Sequence, residues 1–265
     1  MILLAGLVLV ALAPGVGSAS PVPRWPDLPR ASVTPAAPGS PLLPNLWTMA
    51  PLEFQITHEG GRRLLRVTNA SVNVGLGPME LNPKKKDCNG DGDFENDRTA
   101  IQRVYEDGNG DGIFTRGVDT TVTTKVVGCF HFSRTHQHWH FKNFASYSLE
   151  RLSDGVEVAA HDKIGFCLID SQHPYPGIPG SPSENVYDTC QPDHFQGLSP
   201  GWADVYTAAL PGQFVDVTSV PDGSYCFISH VDPGNKLAES SDADNTATQA
   251  IELTGDSVSP IAAAC

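Results

Sequence analysis

Short apolar runs separated by turn residues dominate the chain from about residue 45 onward. The runs include "RLLRVTNASVNV", "YSLERL", "KIGFCLID", "FVDVTSV" and "SYCFISHV". The Gly, Asp, Ser and Pro residues between them, as in "EGG", "LSDG" and "PDG", are typical of tight turns. No segment keeps a helical period for long, whereas short alternating runs of this kind predict strands. The pattern therefore predicts a mainly β protein, a β-sandwich core with long irregular loops and little helix.

The N-terminal part of the chain does not follow this pattern. Residues 1–20, "MILLAGLVLVALAPGVGSAS", hold an apolar stretch that is shorter than the roughly 20 residues a membrane span needs. The stretch ends in small residues, as a signal-peptidase site does. We therefore expect a cleaved signal peptide over 1–20 and no stable membrane insertion after cleavage. Residues 21–44 are rich in Pro and predict a linker or an arm along the domain surface.

Charge narrows the classes of partner. The 265 residues carry a formal net charge of −13 with a pI near 4.9. This balance argues against nucleic-acid binding, which requires a basic surface. An acidic surface attracts cationic substrates, but it also keeps many exported proteins dispersed, and composition leaves both interpretations open.

The cysteines indicate the compartment. Six are present: Cys88, Cys129, Cys167, Cys190, Cys226 and Cys265. They show no CxxC or other close spacing of a metal site, and an even number behind a signal peptide predicts disulfides in a secreted protein. Their spacing alone does not fix the pairing.

Two similar aspartate-rich loops, "DCNGDGDFEND" and "DGNGDGIFTRGVD", suggest a hard cation such as Ca²⁺, which binds oxygen ligands. The candidate ligands are Asp87, Asn89, Asp91 and Asp93 in the first loop and Asp107, Asn109 and Asp111 in the second. Neither loop completes an EF-hand, because the twelfth position holds Arg98 or Val118 in place of Glu. Calcium is favoured for the second loop, where Asp119 offers a late ligand. The alternative is that Asp, Asn and Gly form tight turns here without any ion.

The run "RTHQHWHFKNF" concentrates three of the nine histidines, His136, His138 and His140, within five residues. Alternate residues of a strand share a face, and three imidazoles on one face suit copper, zinc, nickel or iron. On a straight strand the outer two lie roughly 13 Å apart, whereas each metal–nitrogen bond is about 2 Å. A single ion therefore requires a bend or bulge. The alternatives are two ligands with a bystander, or a histidine–aromatic face without metal.

This run, within the longer stretch "THQHWHFKNFASYSL", resembles the copper-binding segment of the lysyl oxidase family. The resemblance continues in order through "HDKIGFCLID", "TCQPDHFQGLSPGWADVY" and "FVDVTSVPDGSYCFISHVDPGNKLAESSDADN". It implies a bacterial-type member with a catalytic domain over 45–255, a calcium-like loop insertion at about 86–120, and a C-terminal tail over 256–265.

The resemblance also implies the site residues and the cofactor. His136, His138 and His140 would bind copper, and Lys163 with Tyr206 would form lysine tyrosylquinone. Asp204, two residues before Tyr206, is the candidate base, and its alternative is a solvated turn carboxylate. His194 corresponds to a family histidine close to the metal. Without the resemblance, Lys163 would be interpreted as a surface lysine and Tyr206 as a core tyrosine.

The expected function is that of a secreted, protein-lysine 6-oxidase-like copper amine oxidase. Such an enzyme uses O₂ to convert primary amines, among them peptidyl lysine, to aldehydes with release of ammonia and hydrogen peroxide. The alternative is a non-catalytic calcium- and metal-binding β-sandwich module at a cell surface or matrix.

The cysteines depart from the family pattern. The family's cysteine inside the histidine motif is missing, and Arg134 and Thr135 fill that stretch. The resemblance then implies a bridge from Cys129 to Cys190, with Cys167 meeting Cys226 across the sandwich.

Overall fold

The computed structural model describes residues 25–28, 37, 39–92 and 95–265, without the side chains of 121–122 and 162–164. The predicted signal peptide over 1–20 lies outside this part. The described residues form fifteen strands and no helix. The strands are β1 Pro41–Leu42, β2 Leu46–Thr48, β3 Glu53–Glu59, β4 Arg62–Asn73, β5 Met79–Lys84, β6 Asp97–Glu106, β7 Thr120–Ser133, β8 His138–Arg151, β9 Glu157–Phe166, β10 Gln196–Leu198, β11 Ala203–Tyr206, β12 Phe214–Asp216, β13 Gly223–Val231, β14 Thr246–Thr254 and β15 Ser257–Pro260.

Two antiparallel sheets make up the fold. The larger sheet has ten strands in the order β10-β5-β6-β7-β8-β13-β14-β15, with β1 paired to β6 and β9 paired to β8. The smaller sheet has five strands, and β4 pairs with each of the other four, β2, β3, β11 and β12. The mainly β prediction with irregular loops is confirmed.

One apolar core joins the two sheets. Leu65 and Val67 of β4 in the smaller sheet belong to the same buried cluster as Tyr147 of β8 and Phe227 of β13. The rings of Tyr147 and Phe227 lie 5.6 Å apart between centroids. Each such side chain contributes about 1.5–3 kcal/mol when it is fully buried, so the shared cluster holds the sheets together.

Strand β8 organises the functional part of the larger sheet. Its first residues pair with β7, from Ser133↔His138 to Phe130↔Phe141, and its remainder pairs with β9 and β13. At Gly165 in β9, an added Cβ would lie 3.1 Å from Cε1 of His131 and 3.4 Å from Cβ of His140. The absence of a side chain therefore lets β9 approach the histidines closely.

Segments near both ends of the described part of the chain contact the sandwich. Trp25, in the predicted Pro-rich arm, packs edge-on against Tyr175 with ring centroids 6.3 Å apart. In the segment predicted as a C-terminal tail, β15 pairs with β14, and Cys265 is bonded to Cys226. No helix capable of crossing a membrane occurs among the described residues.

The structure contains three disulfides, as an even cysteine count in a secreted chain predicts. Their pairing is Cys88–Cys129, Cys167–Cys190 and Cys226–Cys265. The implied bridges Cys129–Cys190 and Cys167–Cys226 are therefore wrong. Cys129 lies in β7 beside the first aspartate loop, and Cys167 follows β9 directly. Each pair has Cα atoms 5.4–5.7 Å apart, within the range that a disulfide spans.

A candidate metal centre beside a buried tyrosine

The histidine run is a hairpin turn followed by a strand, so the prediction of one continuous strand from His136 to His140 is wrong. Residues 134–137 form the turn between β7 and β8, and β8 begins at His138. Gln137 takes a left-handed conformation with φ 58°, and its N–H donates to the Ser133 carbonyl at 2.7 Å. The turn folds His136 back toward the strand and supplies the bend that binding of one ion requires.

Three imidazole nitrogens converge as a result. Nε2 of His140 lies 3.1 Å from Nδ1 of His136 and 3.0 Å from Nε2 of His138. Ligands about 2 Å from one ion, at right or tetrahedral angles to each other, are roughly 2.8–3.3 Å apart. The three side chains can therefore hold a transition-metal ion together.

The surroundings favour the neutral form of His138 and His140, the form that binds metals. Burial, with smaller contributions from His138, His136 and His131, lowers the pKa of His140 to about 3. Burial also lowers the pKa of His131, whose ring packs edge-on against His140 with centroids 5.6 Å apart. Nε2 of His136 is buried without a hydrogen-bond partner among the described groups. The chemistry of the donor set thus fits a copper-type ion.

The opposite face of β8 is fixed by Trp139, which is 3% exposed. The Arg98 guanidinium lies 4.7 Å from the centre of its ring. The backbone N–H of Trp139 donates to the carbonyl of Cys190 at 3.0 Å, and the Trp139 carbonyl accepts from Nε2 of Gln196 at 2.9 Å. These two backbone hydrogen bonds fix Trp139 and therefore the positions of His138 and His140 on either side of it.

Tyr206 ends β11 and points its hydroxyl at the backbone of Cys167. The hydroxyl accepts the Cys167 N–H at 2.6 Å and donates to the Cys167 carbonyl at 2.8 Å. The Phe166 ring packs edge-on against it with centroids 4.1 Å apart. Burial, and next the Asp204 carboxyl, raise the pKa of Tyr206 well above its usual value. The phenol is thus a neutral, precisely held group at the end of β9.

Asp204 lies in the same strand, so its position relative to Tyr206 is the extended i, i+2 arrangement expected from sequence. Its side chain is buried, at 3% exposure, which excludes the alternative of a solvated turn carboxylate. Burial, and then the Asp170 carboxyl, raise the pKa of Asp204 well above its usual value. No described group donates a hydrogen bond to its Oδ2 atom.

Strand β9 connects the two places. Gly165 lies against His131 and His140, and the next residue, Phe166, packs against Tyr206. Lys163 belongs to the same strand, and its side chain is outside the described part. His194, in contrast, is exposed, and its Nδ1 contacts the Pro192 carbonyl at 3.1 Å. The structure therefore places His140 and Tyr206 beside neighbouring residues of β9 and leaves His194 at the surface.

Comparison with known proteins identifies the family of the chain. The family model described as lysyl oxidase matches residues 112–264, more than half of the chain. The chain belongs to the lysyl oxidase family. The matched segment contains all three histidines, Lys163 and the strand with Asp204 and Tyr206.

Curated relatives match a similar region. Lysyl oxidase homolog 1 from Homo sapiens is 35% identical over 125 residues, which is 47% of this chain and 20% of that protein. Protein-lysine 6-oxidase from Sus scrofa is 34% identical over 121 residues, 45% of each chain. Lysyl oxidase homolog 2 from Pongo abelii is 34% identical over 111 residues, 42% of this chain and 13% of that protein. The chain thus spans less than half the length of these relatives.

Sequence reasoning missed three contributors to this candidate site. His131 was not recognised, although "CFHFS" places it in an alternating run opposite His140 in the hairpin. Gly165 was not recognised as the close approach, and no sequence signal marks it. The contact between Tyr206 and the Cys167 backbone joins residues 39 positions apart and depends on the tertiary fold.

Proposed function

We propose that this protein is a secreted copper amine oxidase that deaminates primary amines, with lysine side chains of proteins as the principal candidate substrate. The reaction converts R–CH₂–NH₂, O₂ and H₂O to R–CHO, NH₃ and H₂O₂. The observation that carries the proposal is the set of three converging imidazole nitrogens, with His140 and Tyr206 beside neighbouring residues of β9, in a chain of the lysyl oxidase family.

The cofactors we assign are copper and lysine tyrosylquinone. Nδ1 of His136 and the Nε2 atoms of His138 and His140 would hold the copper ion. Bound there, the ion would supply, with O₂, the oxidising chemistry for a quinone made from Tyr206 and joined to Lys163, which would accept two electrons from an amine. Support for this pairing comes from β9, which carries Lys163 and ends at Phe166, whose ring packs against Tyr206.

The chain's own groups position the reactants and move protons. The backbone of Cys167 fixes the Tyr206 hydroxyl from two directions. We assign to Asp204 the role of base, with its unpartnered Oδ2 accepting the α-proton of the substrate. A buried carboxyl whose pKa is raised takes up a proton more readily than an exposed one, which suits a general base.

Substrate class and location follow from charge and redox chemistry. A net charge of −13 attracts protonated amines to the surface. Three disulfides, with no free cysteine among the described residues, are typical of a protein that folds in an oxidising compartment. Both support a secreted oxidase that acts on cationic amines, including lysine in proteins.

Peptide mass mapping combined with a peroxide assay tests the proposal. After expression with copper, we expect a cross-linked peptide that contains Lys163 and Tyr206, together with amine-dependent peroxide release. The Lys163→Ala variant should bind copper but give neither the cross-link nor peroxide. Separate, unmodified peptides in a copper-loaded protein without peroxide release would contradict the oxidase.

That negative outcome would favour the second candidate function, a non-catalytic calcium- and metal-binding module. A specific observation supports it as well: carboxylate oxygens of Asp87, Asp91 and Asp97 lie within 4.8 Å of one another, far in sequence from the histidines. The same preparation decides between the two functions, because only the oxidase modifies its own tyrosine.

A further inference from the structure

The two aspartate-rich loops have the same local turn but end differently. In the first, Asp87 accepts the N–H groups of Gly90 and Gly92 at 2.6 and 2.8 Å. In the second, Asp107 accepts those of Gly110 and Gly112 at 2.7 and 2.8 Å. These Asx-type turns form without an ion, so they do not distinguish a cation site from a plain loop.

Both carboxylate oxygens of the aspartate that closes the second loop, Asp119, have donors from the protein backbone. Oδ1 of Asp119 accepts the Gly108 N–H at 2.8 Å, and Oδ2 accepts the Thr115 N–H at 2.6 Å. The same loop is anchored by Arg116, whose guanidinium donates to Glu80 at 2.9 Å and to the Tyr187 hydroxyl at 2.8 Å. Protein contacts alone satisfy this loop.

The first loop is closed by Asp97, and here one oxygen is left over. Asp97 is 4% exposed, and its Oδ1 accepts a long hydrogen bond of 3.3 Å from the Cys88 N–H. Its Oδ2 is buried, and no described group donates to it. A buried carboxylate oxygen without a partner is unfavourable unless something positive is bound to it.

Two further carboxylates lie beside the carboxylate of Asp97. One oxygen from each of Asp87, Asp91 and Asp97 lies within 4.8 Å of the others. Convergent carboxylates without a neutralising cation repel one another. Oxygen-only ligand sets of this kind suit Ca²⁺, which accepts flexible geometry.

We propose that Asp87, Asp91 and Asp97 form a Ca²⁺ site, with Asp97 as its buried ligand, and that the second loop is a turn that needs no ion. The proposal concerns a part of the chain that precedes the segment matched by the family model, 112–264. It reverses the sequence-based preference for Asp107, Asn109 and Asp111. It is also independent of the proposed oxidase function.

The position of the site suggests what the cation does. Asp97 opens β6 and pairs with His131 of β7, which in turn pairs with His140 of β8. The neighbouring disulfide ties the loop, through Cys88, to Cys129 on the same strand β7. A cation at Asp97 would therefore brace the sheet at β6, two strands away from His140 in β8.

Matched variants in the two loops test the site. Asp91→Asn and Asp111→Asn change equivalent, exposed positions, and Asp97→Asn removes the buried ligand. Calorimetric titration of the metal-stripped full chain with Ca²⁺ alone should show, for both Asp91→Asn and Asp97→Asn, the loss of one bound Ca²⁺ or a weakening of at least about tenfold. The Asp111→Asn variant should titrate like the wild type.

Thermal melting adds a second measurement that does not depend on oxidase activity. Ca²⁺ should raise the Tm of the wild type and of Asp111→Asn more than it raises the Tm of Asp91→Asn. If Asp97→Asn fails to fold, the comparison of Asp91→Asn with Asp111→Asn still decides. Equal titrations for all variants, or loss of binding in Asp111→Asn alone, would overturn the proposal.

Discussion

The histidine hairpin and the Tyr206 pocket differ in how the chain builds them. The hairpin takes all three nitrogens from five consecutive residues, and a single turn at Gln137 is enough to make them converge. The Tyr206 pocket is assembled from β9 and β11, residues about 40 positions apart in sequence that meet only in the folded sandwich.

This difference indicates which half is the more robust. Ligands within one hairpin keep their spacing even when distant packing is disturbed, whereas Tyr206 depends on the register between β11 and β4 and on the position of β9. We therefore expect metal binding to survive changes that abolish the chemistry at Tyr206, but the reverse should not hold if copper is needed to modify the tyrosine.

The largest effect is expected for His138→Ala, which should remove both copper binding and peroxide release. His138 Nε2 lies 3.0 Å from His140 Nε2, and two nitrogens bind an ion much more weakly than three. Copper affinity should fall by more than about 100-fold, the upper end of what changes beyond the direct ligands produce. Equilibrium dialysis with copper and peroxide release would measure the two losses. His194→Ala is the matched control, because His194 is exposed and should leave both unchanged.

The Tyr206→Phe variant should impair the Tyr206 pocket and leave the histidine hairpin intact. Peroxide release should disappear while copper binding stays within about twofold of the wild type, since the hydroxyl contacts Cys167 and not the histidines. Loss of the hydroxyl leaves a buried N–H and carbonyl unpaired, so the free energy of unfolding should decrease by about 1–3 kcal/mol. Dialysis, peroxide assay and denaturant melts would check this, and residual amine-dependent peroxide would refute the role of Tyr206.

A partial effect is expected for Asp204→Asn. Loss of a general base should lower kcat by about 10²–10⁴-fold with copper binding retained. The base acts in its ionised form and its pKa is raised, so wild-type kcat should increase with pH as the carboxyl loses its proton. That rise should be missing in Asp204→Asn, which the pH profile of kcat would reveal. An unchanged profile would reassign the base to another group.

What could be predicted from sequence divides in the same way, into features set by neighbouring residues and features set by residues distant in sequence. The strands, the short turns and the histidine set depend on local patterns, and the first two are confirmed by the structure. Local rules were wrong at Gln137, because a left-handed Gln in a turn without Gly or Asn carries no sequence signal. Strict alternation predicted one strand from His136 to His140, bent if it binds a single ion, and not a turn that ends at Gln137.

Contacts between distant residues were harder to predict. The disulfide partners are 23–41 residues apart, and the choice among pairings depends on which strands lie next to each other. Burial of Asp204 and the unpartnered oxygen of Asp97 also follow from packing of strands distant in sequence. An EF-hand template could not reveal Asp97, because the chain departs from the template at that point.

Strand β9 sets a practical limit on anyone who wants to move this centre into another protein. Grafting the hairpin alone onto a different sandwich would transfer the nitrogen donors but not β9. In β9, Gly165 has no side chain and so lies close to His131 and His140. The same strand carries Lys163 and leads directly into the backbone that holds Tyr206. The smallest portable unit is therefore a three-strand block of β7, β8 and β9, and a host scaffold must supply a neighbouring strand in the place of β11.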